Sequence, residues 1–132
     1  MEELRGQPVL INFWSISCTS CIEEIPQLAA LYAELAARGL EIIAITMPYD
    51  PPSHVIALSR GKQIPYPVAL DIRGEAARAF GDVRLTPTTF LVAPDGRVVA
   101  EHSGKLDMDR MRTLVLNMLP GDGRRDTGSA GS

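Results

Sequence analysis

The sequence predicts an α/β fold: a central mixed sheet with a parallel βαβ half and an antiparallel hairpin half, flanked by helices. Three observations predict it. Two short apolar runs of strand composition, Pro8–Trp14 and Leu40–Thr46, are separated by a segment of helical period. Strand and helix then alternate again, the order of parallel pairing. Further on, Pro94-Asp-Gly96 lies between two more strand-like runs, which is hairpin-turn chemistry. With 132 residues and 45% apolar content the chain suits one buried core, assigned to residues 1–119; residues 120–132, rich in Gly, Ser, Asp and Arg, are expected to be a disordered tail.

Each element has its own signal. The run Pro8-Val-Leu-Ile-Asn-Phe-Trp14 is nearly continuous in strand formers, as for a central strand covered on both faces. Ile22, Ile25, Leu28, Ala29, Leu31, Tyr32 and Leu35 then recur at helical spacing up to the Arg38-Gly39 stop, with Pro26 expected to kink the axis. Leu40–Thr46 is the second buried strand, and Pro48–Pro52 is a loop that delivers Ser53 as the N-cap of another helix. The prolines of Ile64–Asp71 hold that piece extended, and Gly74–Phe80 is a short helix closed by Gly81. Thr88–Val92 and Arg97–His102 form the hairpin. Asp107 opens the last helix, whose Met111, Leu114, Val115 and Met118 share a face and which Pro120-Gly121 ends.

Composition excludes several classes of function. The net charge is -3, and no run of Lys or Arg tracks a phosphate backbone, so nucleic acid is not an expected partner. No stretch reaches the roughly 18 apolar residues of a membrane span, and Met1–Arg5 has neither a basic start nor an apolar signal core. The two cysteines, Cys18 and Cys21, are too few for a disulfide scaffold or an all-cysteine zinc site, and their spacing from His54 and His102 is unlike a zinc finger. No metal is expected, and the two histidines read as surface residues without chemistry.

Cys18-Thr-Ser-Cys21 follows directly on a buried strand and opens a helix, where unpaired N–H groups and partial positive charge favour a thiolate. Cys18 is therefore the expected attacking sulfur. Cys21, one turn on, is placed to close a disulfide with it after a mixed disulfide forms. Two cysteines at this spacing are equally compatible with small buried side chains or half of a metal site. The strand before, the helix after, and the later Thr86-Pro87-Thr88-Thr89-Phe90 leading into another strand favour the redox reading.

In these features the chain resembles the thioredoxin superfamily, and within it the TlpA/ResA-like thiol-disulfide oxidoreductases. Leu4–Trp14 looks like that family's entry into its active-site strand, Cys18–Cys21 stands at its redox motif, Glu24-Ile-Pro26 matches its downstream acid and proline, and Pro94-Asp-Gly96 fits its hairpin. The resemblance covers residues 4–119 and implies the thioredoxin fold. It also implies a cis bond before Pro87, against the roughly 5–6% of X–Pro bonds that are cis in folded proteins, with Pro87 packed on the sulfurs and Thr86 pairing with an incoming peptide. The implied partners are protein thiols and disulfides, with the disulfide itself as the redox group and no other cofactor. The implied setting is extracytoplasmic, the bacterial periplasm or the outer face of a membrane, with a possible anchor upstream of residue 1; reduction of specific protein disulfides to thiols, for example in cytochrome maturation, is the implied task. A monomer is expected, although the family's N-terminal hairpin has no counterpart before Leu4, which leaves a sheet edge open to strand pairing.

Departures from the family bear on the chemistry. Ser17 stands where a tryptophan is common, and Thr19 and Ser20 replace a Pro-containing pair; their hydroxyls either bond a sulfur or cap first-turn donors. Asn12 stands where thioredoxin has a buried acid, and an amide cannot titrate, so the proton of Cys21 must pass to water or another acid. Glu23 and Glu24 read as a solvated, dipole-favoured pair. Trp14 serves as a floor beside the motif or as plain core, and Tyr49 and Asp50 rim the site. Two other readings remain at this point: a peroxide-reducing relative, and a non-catalytic module that binds protein or copper.

Overall fold

A computed structural model describes residues 6–119. The expectations for Pro120-Gly121, for the tail and for the first residues of the Leu4–Trp14 match lie outside the described residues. Five strands, β1 (Val9–Trp14), β2 (Glu41–Thr46), β3 (Val68–Leu70), β4 (Thr88–Val92) and β5 (Val98–Ser103), form one sheet in the order β3-β2-β1-β4-β5. β1 pairs parallel with β2 and β2 with β3, whereas β4 is antiparallel to both β1 and β5. This is the mixed sheet the sequence predicts. β1 is central and wholly buried, as its unbroken apolar composition requires.

Side chains alternate across β1, and the two faces build separate cores. Leu10 and Trp14 join Leu28, Leu31 and Leu35 of α1 (Thr19–Leu35), Val55 of α2 (Pro52–Gly61), and Met111 and Val115 of α4 (Met108–Leu116). Val9, Ile11 and Phe13 face the other way, toward Ala77 of α3 (Glu75–Ala79), Phe90 and Val92. There Phe13, Phe80 and Phe90 form an aromatic trio with ring centroids 4.9–5.9 Å apart. Burying side chains of this size contributes roughly 1.5–3 kcal/mol each.

The element ends follow local chemistry. Pro26 lies inside α1, which runs into a 3₁₀ turn at Ala36–Arg38 and stops at Gly39, whose φ of 118° suits only glycine well. Asp107 caps α4 by accepting the Arg110 N–H at 3.1 Å. Ser53 is not the cap of α2 that the sequence predicts. The helix begins at Pro52, with Pro51 in the cap position and no side-chain cap bond. Proline's fixed φ and missing donor suit the first helical turn, so the helix starts one residue before Ser53.

Because β1, β2 and β3 run parallel, their C-terminal ends emerge on one side of the sheet. The antiparallel β4 begins there. The loops 15–18, 47–51, 71–74 and 85–87 are thereby gathered at one end of the molecule.

Candidate active site

The chain leaves β1 at Trp14, turns through Ser15, Ile16 and Ser17, and enters α1 at Thr19. Cys18 is the N-cap residue of that helix, with extended backbone angles, and its Sγ accepts the Cys21 N–H at 3.2 Å. A cap is usually an oxygen; here a sulfur occupies the place where first-turn donors are unsatisfied and the helix dipole is positive. A thiolate at Cys18 is stabilised by that donor. The Thr86 carbonyl oxygen stands 3.5 Å from the same Sγ on the other side, and it accepts from the thiol when Cys18 is reduced and protonated. One neighbour favours the thiolate and the other the thiol.

Cys18 and Cys21 are joined as a disulfide with their Cα atoms 5.2 Å apart, within the ordinary range for such a bond. The two sulfurs differ in access. Cys18 is half-buried at the end of the helix, whereas Cys21 is 3% exposed within the core that contains Trp14, Ile25 and Leu28. The Thr86–Pro87 bond is cis, as the resemblance implies. Thr88 Oγ1 donates to the Leu85 carbonyl at 2.7 Å and Gly104 N–H to the Pro87 carbonyl at 2.7 Å, so the loop that carries Thr86 is tied on both sides.

Other expected site residues fall differently. Trp14 is 2% exposed in the core cluster that also holds Cys21, and its indole N–H has no partner among the described residues, so it packs as a core residue. Thr19 is exposed and Ser20 half-buried, and neither hydroxyl makes a hydrogen bond among the described residues. The cap position is already taken by the Cys18 sulfur, so neither of the two roles read for them is realised. Asn12 is buried and donates through Nδ2 to Thr89 Oγ1 at 3.0 Å, pinning β1 to its register partner on β4. His54 is exposed on α2; His102 is half-buried on β5 and bonds the Lys105 carbonyl through Nε2 at 2.8 Å.

Two acids are corrected by the structure. Glu23 is exposed, 3.9 Å from Lys105 Nζ, but Glu24 is 1% exposed rather than solvated. Its Oε2 accepts the Leu106 N–H at 2.6 Å, while Oε1 has no partner among the described residues. Burial drives its pKa above the ordinary 4.5, opposed by the Leu106 N–H, Lys105 and His102. Cys21, Glu24, Ile25 and Leu28 recur at helical spacing on the inner face of α1, which is the signal in the sequence that marks Glu24 as inward. The Tyr66 phenol is pushed up as well, first by burial and then by the charge of Glu24. Asp50 does not rim the site: Tyr49 is 62% exposed, but Asp50 is 7% exposed and binds the loop that precedes Cys18.

Comparison with known proteins agrees with this geometry. A family model described as the AhpC/TSA family matches residues 1–101. Thiol-disulfide oxidoreductase ResA of Bacillus subtilis (strain 168) is 31% identical over 123 residues, covering 92% of this chain and 67% of the relative. ResA of Bacillus cereus (strain ATCC 10987 / NRS 248) is 30% identical over 123 residues, covering 91% and 68%. Among solved structures, a thioredoxin-family thiol:disulfide interchange protein from Chlorobium tepidum TLS superposes with a TM-score of 0.80 at 24% identity, covering 89% of this chain and 83% of that one. A secreted thiol-disulfide isomerase from Corynebacterium glutamicum does so with a TM-score of 0.81 at 21% identity, covering 89% and 73%; at these identities both show the shared fold. The chain therefore belongs to the AhpC/TSA family of the thioredoxin superfamily, and within it to the ResA-like thiol-disulfide oxidoreductases.

Proposed function

We propose that this protein reduces disulfides in partner proteins, with Cys18 as the attacking and Cys21 as the resolving sulfur. The observation that carries the assignment is the difference in access: Cys18 lies half-buried on a helix N-terminus with a backbone donor at its sulfur, and Cys21 lies inside the core. The Cys18 thiolate attacks one sulfur of the partner's disulfide, forming a mixed disulfide and releasing the partner's other sulfur as a thiolate that takes up a proton. Cys21 then loses its proton and attacks the Cys18 sulfur, which closes the Cys18–Cys21 bond and frees the partner's second thiolate. Two electrons pass from this chain to the partner. The disulfide is the only redox group this route requires.

Asn12 cannot take the Cys21 proton, and Glu24 is the acid we assign to it. It lies one turn beyond Cys21 on the same buried face, with a pKa raised by burial toward that of an effective base. Pro87 and Thr86 position the partner's backbone beside Cys18, with Trp14 as the floor. The setting we propose is extracytoplasmic, with cytochrome maturation as the task; among the described residues no helix is long and apolar enough to cross a membrane.

Trapping tests the assignment. Cys21→Ser should accumulate a mixed disulfide with a disulfide-containing protein, and Cys18→Ser should accumulate none. The reverse pattern would exchange the two roles. Equilibration in glutathione or dithiothreitol buffers gives the direction: a potential near thioredoxin's, roughly -270 mV, marks a reductant, and one near roughly -120 mV an oxidant.

A further inference from the structure

The loop that delivers Cys18 carries two serines, and a buried carboxylate lies beneath them. Asp50 uses both oxygens on this loop: Oδ1 accepts the Ser15 hydroxyl at 2.8 Å and Oδ2 accepts the Ile16 N–H at 3.1 Å. Ser15 is itself fully buried. Its oxygen has two further neighbours, the Ser17 N–H at 3.2 Å and the Ser17 hydroxyl at 2.9 Å. The Cys18 N–H closes the turn onto the Ser15 carbonyl at 3.1 Å.

Counting protons settles the direction of this chain of bonds. A hydroxyl owns one proton and two lone pairs, a carboxylate only accepts, and a backbone N–H only donates. Ser15 must give its proton to Asp50, which leaves it two lone pairs. The Ser17 N–H takes one, so the Ser17 hydroxyl, to bond at all, has to donate into the other. The order is Ser17 to Ser15 to Asp50. Ser17, exposed and adjacent in sequence to Cys18, thus turns its proton inward and leaves only lone pairs facing outward.

We propose that Asp50 is a positioning residue of the redox site: through Ser15 it commits the Ser17 proton away from Cys18 and so withholds a hydrogen-bond donor from the Cys18 thiolate. The buried negative charge acts in the same sense, since it disfavours a second anion nearby. A thiolate with fewer donors is less stabilised relative to the disulfide, and the pair is the more reducing for it. This rests on the reading of Cys18 as the attacking sulfur.

The test is the equilibrium of the full chain with glutathione, in which the protein disulfide and two glutathione thiols exchange for the protein dithiol and one glutathione disulfide. Asp50→Asn keeps an oxygen for the Ile16 N–H but presents an amide donor to Ser15, which reverses the order and frees the Ser17 proton. Its equilibrium constant is expected to move about tenfold toward the reduced form, about 30 mV for this two-electron couple. Ser15→Ala breaks the chain with the charge left in place and is expected to move the constant the same way by a smaller factor. Adding Ser17→Ala to Asp50→Asn is expected to return much of the shift, because the freed proton is then gone. If Asp50→Asn and Ser15→Ala both stay within twofold of the parent, the proposal is overturned. It is overturned equally if the shift survives Ser17→Ala undiminished, for then charge alone is responsible. A parent chain that forms no reversible disulfide overturns the assignment of Cys18 and this proposal with it. Variants that match a redox-active parent overturn this proposal alone.

Discussion

Replacing Glu24 by Gln tests what it means to bury a carboxyl group behind the redox helix. Burial is the largest influence on Glu24 and raises its pKa from 4.5, against smaller opposing contributions from Leu106, Lys105 and His102. An acid whose pKa is higher in the folded than in the unfolded chain holds its proton more tightly in the fold. Its contribution to stability is complete below the unfolded value near 4.5 and is lost as pH rises toward the folded value. Between those limits the loss runs at up to about 1.4 kcal/mol per pH unit, and it levels off once both states are ionised. The Glu24→Gln amide keeps an oxygen for the Leu106 N–H, which Oε2 now accepts at 2.6 Å, and has nothing to ionise. Its stability lacks that slope.

The assay is urea unfolding of the oxidised proteins at intervals from pH 4 to 8. The unfolding free energy of Glu24→Gln minus that of the parent should be nearly constant below the unfolded value, climb at up to the stated slope above it, and then flatten; the span of the climb reads the folded pKa. Below the climb both side chains are neutral and hydrogen-bond Leu106 alike, so the two proteins should lie within about 1 kcal/mol of each other. A difference that stays flat across the range, or that falls with pH, would falsify the desolvated-acid account, since a falling difference means that the fold prefers the carboxylate. The proposed proton-acceptor role would fall with it.

Three further outcomes follow from the geometry. Trp14→Phe should lower stability by less than about 1.5 kcal/mol, because the indole N–H it removes has no partner among the described residues, whereas Trp14→Ala should lower it by about 3–5 kcal/mol; urea midpoints separate the two. Asp107→Ala removes the acceptor of the Arg110 N–H at the start of α4 and should lower unfolding free energy by about 1 kcal/mol, with Asp107→Asn close to the parent. Thr88→Val deletes the hydroxyl that donates to the Leu85 carbonyl; a loss of about 1 kcal/mol is expected, with a larger fall in rate toward a protein disulfide than toward dithiothreitol. Equal falls in the two rates would mean that the loop does not position the partner.

Local chemistry carries far in this chain. The unbroken apolar composition of Val9–Trp14 is enough to place it mid-sheet, because a strand without polar alternation must be covered on both faces. Pro94-Asp-Gly96 marks an antiparallel turn through the φ of 92° at Gly96, and a Cys-x-x-Cys between a buried strand and a helix is legible as redox chemistry because the helix end supplies the donors. Glu24 is partly legible: its spacing from Cys21 and Leu28 places it inward, but whether a residue on that line is covered depends on the loop before α4, which reaches it from 82 residues away.

What only the tertiary structure decided has one physical cause: contacts between loops leave no period in the sequence. Asp50 lies in a proline-rich loop with no pattern around it, and it becomes a buried acceptor only because β1 and β2 are parallel and end side by side. The same holds for the Thr86 carbonyl at the Cys18 sulfur, brought there by the antiparallel pairing of β4. The sequence by itself determined the fold, the redox pair and the helix that carries it. The packing of four loops at one end of the sheet determined which donors and acceptors surround the sulfur, because hydrogen-bond direction depends on which groups meet and not on their order along the chain.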